Sequence, residues 1–263
     1  MSMRVLVTFA VDAEFAPWRK ARKFRFIDFD GLRLWRSDAG DKEITALVTG
    51  MGAQSAAKAM DLMMKLADQN QHFDVCISSG LAGALEESLS PGDIIAPQVL
   101  ISENRYADLQ TEQLNVDPEL RQQALEGGAK TADCLLTVDR VLVKQSHKRS
   151  CASRAQSVDM ESFEIVKEAC AWGARSVVVR AISDSAREDL PINFNLTVSK
   201  KNQVSVAKVM LQLAKNPFAL PALVRFGRQS QMAATALALF LEGYVERLER
   251  RDAESRTREA AAK

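Results

Sequence analysis

Three carboxylates stand at the boundaries of elements, two of them just past an apolar strand and one in the polar entry to a helix. Glu14 follows the run Arg4–Val11, Glu161 lies in the polar segment Ser157–Ser162, and Asp184 comes just past Ser176–Val179. Carboxyl groups so placed can hold hydroxyls, activate a water or pass a proton to a leaving group, once their surroundings tune them. Ligands of open α/β sheets gather at the C-terminal ends of the strands, which is where Asp184 falls, with Arg180 and Ser183 shortly before it. The plainer alternative is that Glu161 supports a first helical turn and Asp184 caps the next segment. His72 and His147 lie apart from these positions and no ligand cluster is spaced for a metal, so none is expected.

The elements that must position these groups read as alternating strands and helices. Within Ser157–Ala186, helical spacing from Glu161 to Ala171 puts Phe163, Ile165, Val166, Ala169 and Cys170 on one side. Gly173 stops that helix, and Ser176–Val179 is a β-branched run of the buried kind. Upstream, Phe24–Phe29 and Leu32–Arg36 flank Asp30-Gly31 as a hairpin. Ile44–Thr49 is a strand running into Gly50-Met51-Gly52-Ala53 and a helix, which makes either a cradle for a polar ligand or a plain tight turn. Phe73–Ile77 is a strand leading into Ser78–Leu85, where Gly80 and Gly83 allow close backbone approach. Residues 103–116 read as a polar loop, Pro118–Leu125 as a helix, Thr131–Thr137 as a strand and the basic run Lys144–Arg149 as a solvated turn. Ser185–Asn195 is a loop beside the carboxylate end, and Val198–Leu213 an amphipathic helix broken at Asn216-Pro217. An apolar helical tail with basic residues at intervals follows, and the final EAAAK is helix-prone. The pattern predicts a three-layer α/β/α sandwich around a central mixed β-sheet.

Composition narrows the function classes. With 35 basic and 34 acidic residues the formal charge is +1, so no bulk attraction toward nucleic acid operates and none is expected as a partner. Apolar residues make up 47% of 263, ample for a core. The four cysteines lack a CxxC pattern and read as reduced core thiols of a cytoplasmic protein. The opening MSMRVLVTFAV meets Asp12 and Glu14 too early for a signal peptide and reads as a first strand. No apolar run reaches the roughly 20 residues of a membrane span.

Four segments in order, FAVDAEF, VTGMG, SSGLAGAL…PGDII and VDMES…VVVRAISD, together resemble the superfamily of purine nucleoside phosphorylases and methylthioadenosine/S-adenosylhomocysteine nucleosidases. The resemblance implies cleavage of the N-glycosidic bond of a purine nucleoside, adenine being the expected base. It implies that Asp184 protonates the departing base at N7 with Ser183 orienting it, because a purine anion leaves poorly unless neutralised. It further implies that Glu161 holds ribose hydroxyls, Met160 packs under the sugar, and Glu14 activates water with help from Arg180. Gly80, Ala82 and Gly83 would form the turn beside sugar and base, Gly52 would belong to the glycine turn, and Val141 and Leu142 would line the base pocket. Ile77-Ser78-Ser79 stands where hexameric phosphorylases carry a phosphate-binding arginine, which with Glu14 favours water as nucleophile. Leu81, where nucleosidases have a small hydroxyl residue, and Val141, where they have a stacking aromatic, depart from that pattern.

GLAGAL, DSAREDLP and NPFALPALVRFGRQ are similar, more narrowly, to bacterial phosphorylase-like proteins associated with hopanoid synthesis. A lipid-linked adenosine and peripheral membrane contact through the C-terminal helix would follow from that. The resulting expectations are a catalytic domain at 1–215, a helical extension at 216–263, a homodimer or higher homo-oligomer, and no cofactor. A phosphorylase would take phosphate as co-substrate. A non-catalytic nucleoside-binding protein on the same fold is the third reading.

Overall fold

The computed structural model describes residues 2–29, 31–67, 72–102, 112–196 and 206–249. In chain order the elements are β1 (Met3–Phe9), α1 (Asp12–Ala21), β2 (Arg25–Phe29), β3 (Leu32–Ala39), β4 (Lys42–Val48) and α2 (Ala53–Ala67). Then come β5 (Val75–Ala84), β6 (Ile94–Ser102), β7 (Glu112–Asn115), α3 (Pro118–Glu126), β8 (Lys130–Thr137) and α4 (Gln145–Cys151). β9 (Ser157–Asp159), α5 (Ser162–Ala171), β10 (Arg175–Asp184), α6 (Val206–Lys215) and α7 (Leu220–Arg247) complete it.

The strands form one mixed sheet between two helical layers. β4, β1, β5 and β10 run parallel, so their C-terminal ends share one edge. β10 also pairs with β6, β6 with β8, β8 with β9 and β9 with β5, which curls half of the sheet into a closed ring. One core packs β1, β4, β5 and β10 against α1, α3 and α7, through residues such as Val7, Trp18, Val179 and Leu237. The other packs the opposite face against α2 and α5, through Leu6, Met60, Cys76 and Ile165. The α/β/α layering expected from the strand–helix alternation is therefore present.

Several local expectations are corrected. β5 does not end at Ile77 but runs to Ala84, because β10 pairs with it as far as Gly83 opposite Asp184; Gly80, Ala82 and Gly83 thus lie in a strand and not in a turn. Glu112–Asn115, read as loop, pairs antiparallel with β6. Lys144–Arg149 enters α4, with Lys148 and Cys151 on its buried side. Cys76 and Cys151 are buried, whereas Cys170 is exposed. Residue 30 of the hairpin turn, residues 103–111, the start of the helix expected at Val198 and the EAAAK end lie outside the described residues.

The last helix is pinned by polar as well as apolar contacts. Trp18 Nε1 donates to Glu242 Oε2 at 2.7 Å, Arg22 pairs with the same carboxylate at 2.7 Å, and the Tyr244 hydroxyl donates to the Leu120 carbonyl at 2.7 Å. Ala233, Leu237, Leu241 and Val245, at helical spacing, are buried in the α1-side core. The start differs: Phe218 just ahead of the helix, and Leu220 and Val224 in its first two turns, are exposed. Among the described residues no helix is long and apolar enough to cross a membrane.

Candidate active site

The parallel edge of the sheet gathers the carboxylates. Glu14 sits in the first turn of α1, directly beyond β1, and is buried. Its Oε2 accepts the backbone N–H groups of Ala10 at 2.9 Å and Val11 at 3.3 Å, and Oε1 that of Leu81 at 3.0 Å. Burial pushes its carboxyl above the ordinary carboxylate range, against the Arg180 guanidinium and these three N–H groups, which pull it down.

Glu161 is the residue from which α5 departs. Its Oε1 accepts the N–H of Gly52 at 2.7 Å, so the glycine turn after β4 grips a carboxylate of the protein itself. Gly52 has φ +87°, a conformation open to glycine at little cost, and this aims its N–H inward. Burial, reinforced by neighbouring Asp159, pushes the Glu161 carboxyl up to about 8.

Asp184 ends β10. Ser183 Oγ lies 2.6 Å from Asp184 Oδ1 and 3.2 Å from the Ala82 carbonyl oxygen, and its single proton serves one of them at a time. Lys148 Nζ donates to Asp184 Oδ2 at 2.5 Å. A β-carbon on Gly83 would come within 3.3 Å of Asp184 Oδ2, so the bare backbone of β5 leaves room for this carboxylate.

A cavity of about 260 Å³ joins these groups. Glu14, Met160, Glu161, Ser183, Asp184 and Lys148 all line it, as do Ala82, Gly83, Val141 and Leu142. Gly52 and Gly80, expected at the substrate, are not among its lining residues. Val141 offers an aliphatic side chain, and its backbone is engaged: its N–H donates to Asn195 Oδ1 at 2.8 Å and its carbonyl accepts from Asn195 Nδ2 at 3.0 Å. Aromatic surface comes instead from Phe194 and Phe226, whose ring centroids are 5.1 Å apart. A second cavity, of about 780 Å³, opens between α1 and α7 and shares Val11, Glu14, Leu81 and Ser230 with the first.

Arg180 does not line either cavity. Its side chain is 0% exposed and pairs with Asp159 at 2.7 Å. Further hydrogen bonds run to the Ser79 carbonyl at 2.9 Å and to the hydroxyls of Ser162 at 2.9 Å and Ser78 at 3.3 Å. It lies beneath Gly80, where a β-carbon would fall 2.3 Å from Arg180 Nη1 and 2.9 Å from Glu14 Oε2. Its influence on the site is the charge it sets below Glu14. Asp159 also accepts from Thr137 Oγ1 at 2.7 Å and from the Ser162 N–H at 3.0 Å, which anchors the start of α5.

Sequence reasoning missed Lys148, Phe194, Phe226 and the anchoring role of Asp159. The one local signal was the three-residue spacing of Lys148 and Cys151 in a helical run. Among the described residues no group of three or more His, Cys, Asp or Glu side chains could hold a metal ion.

The family described as the phosphorylase superfamily matches residues 4–215. A 5′-methylthioadenosine/S-adenosylhomocysteine nucleosidase of Haemophilus ducreyi is 25% identical over 204 residues, 69% of this chain and 86% of that protein. Among solved structures, futalosine hydrolase of Helicobacter pylori superposes with a TM-score of 0.71 at 18% identity, covering 94% of this chain and 99% of that one. The methylthioadenosine/S-adenosylhomocysteine nucleosidase of Neisseria meningitidis, in complex with methylthio-immucillin-A, gives 0.69 at 18% identity, covering 93% and 99%.

Proposed function

The chain belongs to the phosphorylase superfamily, and on that footing we propose that it is an enzyme hydrolysing the N-glycosidic bond of a purine nucleoside, with adenine as base, in the manner of the methylthioadenosine/S-adenosylhomocysteine nucleosidases. The observation that carries this reading is the convergence of Asp184, Glu161 and Glu14 on one cavity.

Each group has a part that its surroundings suit. Asp184, held by Ser183, faces the base and delivers a proton as the C1′–N9 bond breaks. Glu161 binds the ribose hydroxyls, and Met160 packs against the sugar. Glu14, oriented by three backbone N–H groups, takes a proton from the attacking water. Phe194 and Phe226 offer the base an aromatic surface. Arg180, fully buried and ion-paired, has no surface to offer a phosphate, which favours water over phosphorolysis. These steps use groups of the chain alone and call for no cofactor.

The test is base release followed by ultraviolet absorbance with methylthioadenosine, adenosine and inosine, each with and without phosphate. Release of adenine without phosphate is expected. A rate strictly dependent on phosphate would make the protein a phosphorylase, and tight binding without release would make it a nucleoside-binding protein.

A finer reading concerns the 5′ substituent. The 780 Å³ cavity meets the first at Glu14 and Leu81, and its lining is mostly aliphatic. This favours a nucleoside with a bulky apolar 5′ group, in line with the resemblance to hopanoid-associated proteins. Turnover of 5′-alkylthioadenosines should then rise with chain length; a flat series counts against it. Exposed Phe218, Leu220 and Val224, with Arg225 and Arg228 close by in sequence, support contact with an anionic membrane surface. Loss of liposome partition in Phe218→Ser is the expected result, and unchanged partition speaks against it. Cytoplasmic residence and a homodimer or higher homo-oligomer belong to the same reading; the assembly is measured by light scattering.

A further inference from the structure

Resting on that reading, we propose that Lys148 holds, in the resting enzyme, the proton that Asp184 passes to the departing base. The difficulty it resolves is geometric. A general acid must carry a proton, yet Oδ2 of Asp184 already accepts from the Lys148 ammonium at 2.5 Å, while Oδ1 meets the Ser183 hydroxyl at 2.6 Å, which donates to it or, with its proton turned to the Ala82 carbonyl, accepts from it. What decides between acid and carboxylate is Oδ2, because a buried ammonium needs a charged partner and Asp184 supplies it as a carboxylate. The surroundings of Lys148 match a full ammonium. Its three N–H groups have three acceptors: Asp184 Oδ2, the Ser185 carbonyl at 2.6 Å and the Glu188 carbonyl at 3.3 Å. The side chain is only 2% exposed, so bulk water does not compete for these protons.

Lysine is almost never fully buried without a specific partner, and here that partner is the proposed acid. The other charged groups nearby are Arg140, Glu14 and Glu161 along the cavity, and the Lys144–Asp189 ion pair, 2.8 Å, at the start of α4. Glu188 directs its carboxylate to Arg225 and only its carbonyl to Lys148.

The step balances. As the C1′–N9 bond breaks, its electron pair goes to the base. The Lys148 Nζ–H bond breaks and its proton moves to Oδ2 of the Asp184 carboxylate, and the carboxylic acid so formed gives that proton to N7. Lys148 is left a neutral amine and Asp184 a carboxylate. The proton lost by the attacking water rests on Glu14 and returns to Lys148 through solvent once products leave. Lys148 is thus a positioning residue that acts through Asp184 and also stores its proton.

Two measurements test this. Infrared difference spectra of the resting wild type against Asp184→Asn at pH 7 should contain no carboxylic C=O band from Asp184. Such a band would overturn the proposal whether or not the protein is a nucleosidase. Kinetically, Lys148→Met and Lys148→Arg should each lower kcat at pH 7.5 by about a hundredfold or more, with KM within a few-fold. Lys148→Met should regain about tenfold per unit of acidification as Asp184 itself takes up the proton. Lys148→Arg keeps the positive charge but cannot release a proton, so it should gain nothing. Full rescue by arginine, or an unaltered pH profile in Lys148→Met, would overturn the proposal. If the methionine variant does not fold, the arginine variant and the wild-type spectrum decide. A wild type inert toward every nucleoside would sink the glycosidase reading, and the infrared result would still decide the protonation.

Discussion

Arg180 and Asp159 form an ion pair of 2.7 Å with neither side chain exposed, in the floor beneath Glu14. Removing one partner strands the other charge in a dry interior. Arg180→Met should therefore cost about 3–5 kcal/mol in urea unfolding, and the double change Arg180→Met/Asp159→Leu should recover part of it. A loss below about 1 kcal/mol in the single variant would contradict this account of the floor.

Asp184→Asn should keep nucleoside affinity within a few-fold while lowering kcat by about 10²–10⁴. Calorimetric binding beside the absorbance assay separates the two effects. Near-normal turnover would remove Asp184 from the chemistry.

Gly80 offers a steric test with an internal control. At φ +140°, with Arg180 Nη1 only 2.3 Å from any added β-carbon, Gly80→Ala meets both backbone strain and a clash. Gly128, at φ +99°, has nothing within 4 Å. Gly128→Ala should cost about 1–3 kcal/mol, the conformational part alone. Gly80→Ala should cost more than this and should also lower activity, because Glu14 and Arg180 must both shift. Equal losses in the two variants would show that the floor yields without effort.

Glu161 links stability to pH. Its carboxyl is raised to about 8 in the folded chain, so the native state binds the proton more tightly than the unfolded one. The stability this contributes is full below the unfolded value of about 4.3 and is lost as pH rises through about 8. Glu161→Gln retains an oxygen for the Gly52 N–H but carries no titrating proton. Its Tm relative to wild type should therefore climb between pH 5 and 8 and level off above, as calorimetry at several pH values will show. A pH-independent difference would refute the linkage.

What the sequence revealed of this site was whatever depends on the ends of strands. Glu14 and Asp184 each follow a short apolar run, and parallel pairing of β1 and β10 with β5 brings those ends together, whereas Glu161 follows the polar strand β9, which pairs antiparallel with β5. Lys148 was hidden because its burial depends on carbonyls 37 and 40 residues further along, while its local surroundings are basic and polar. The glycines of Ser78–Leu85 read as a turn, and only the partner strand β10 shows why they stay extended. The tail was legible as an apolar helix, but not which half of it the core would take.

That half has a cost in time. The strand Met3–Phe9 and residues 233–248 share one core, yet more than 220 residues separate them in the chain. At about 5–20 residues per second of synthesis, the first strand waits roughly 10–45 s before that part of its core exists. Throughout that interval the apolar residues of the first strand lack part of their core, so the order of synthesis leaves the folding of this face to wait for the last helix.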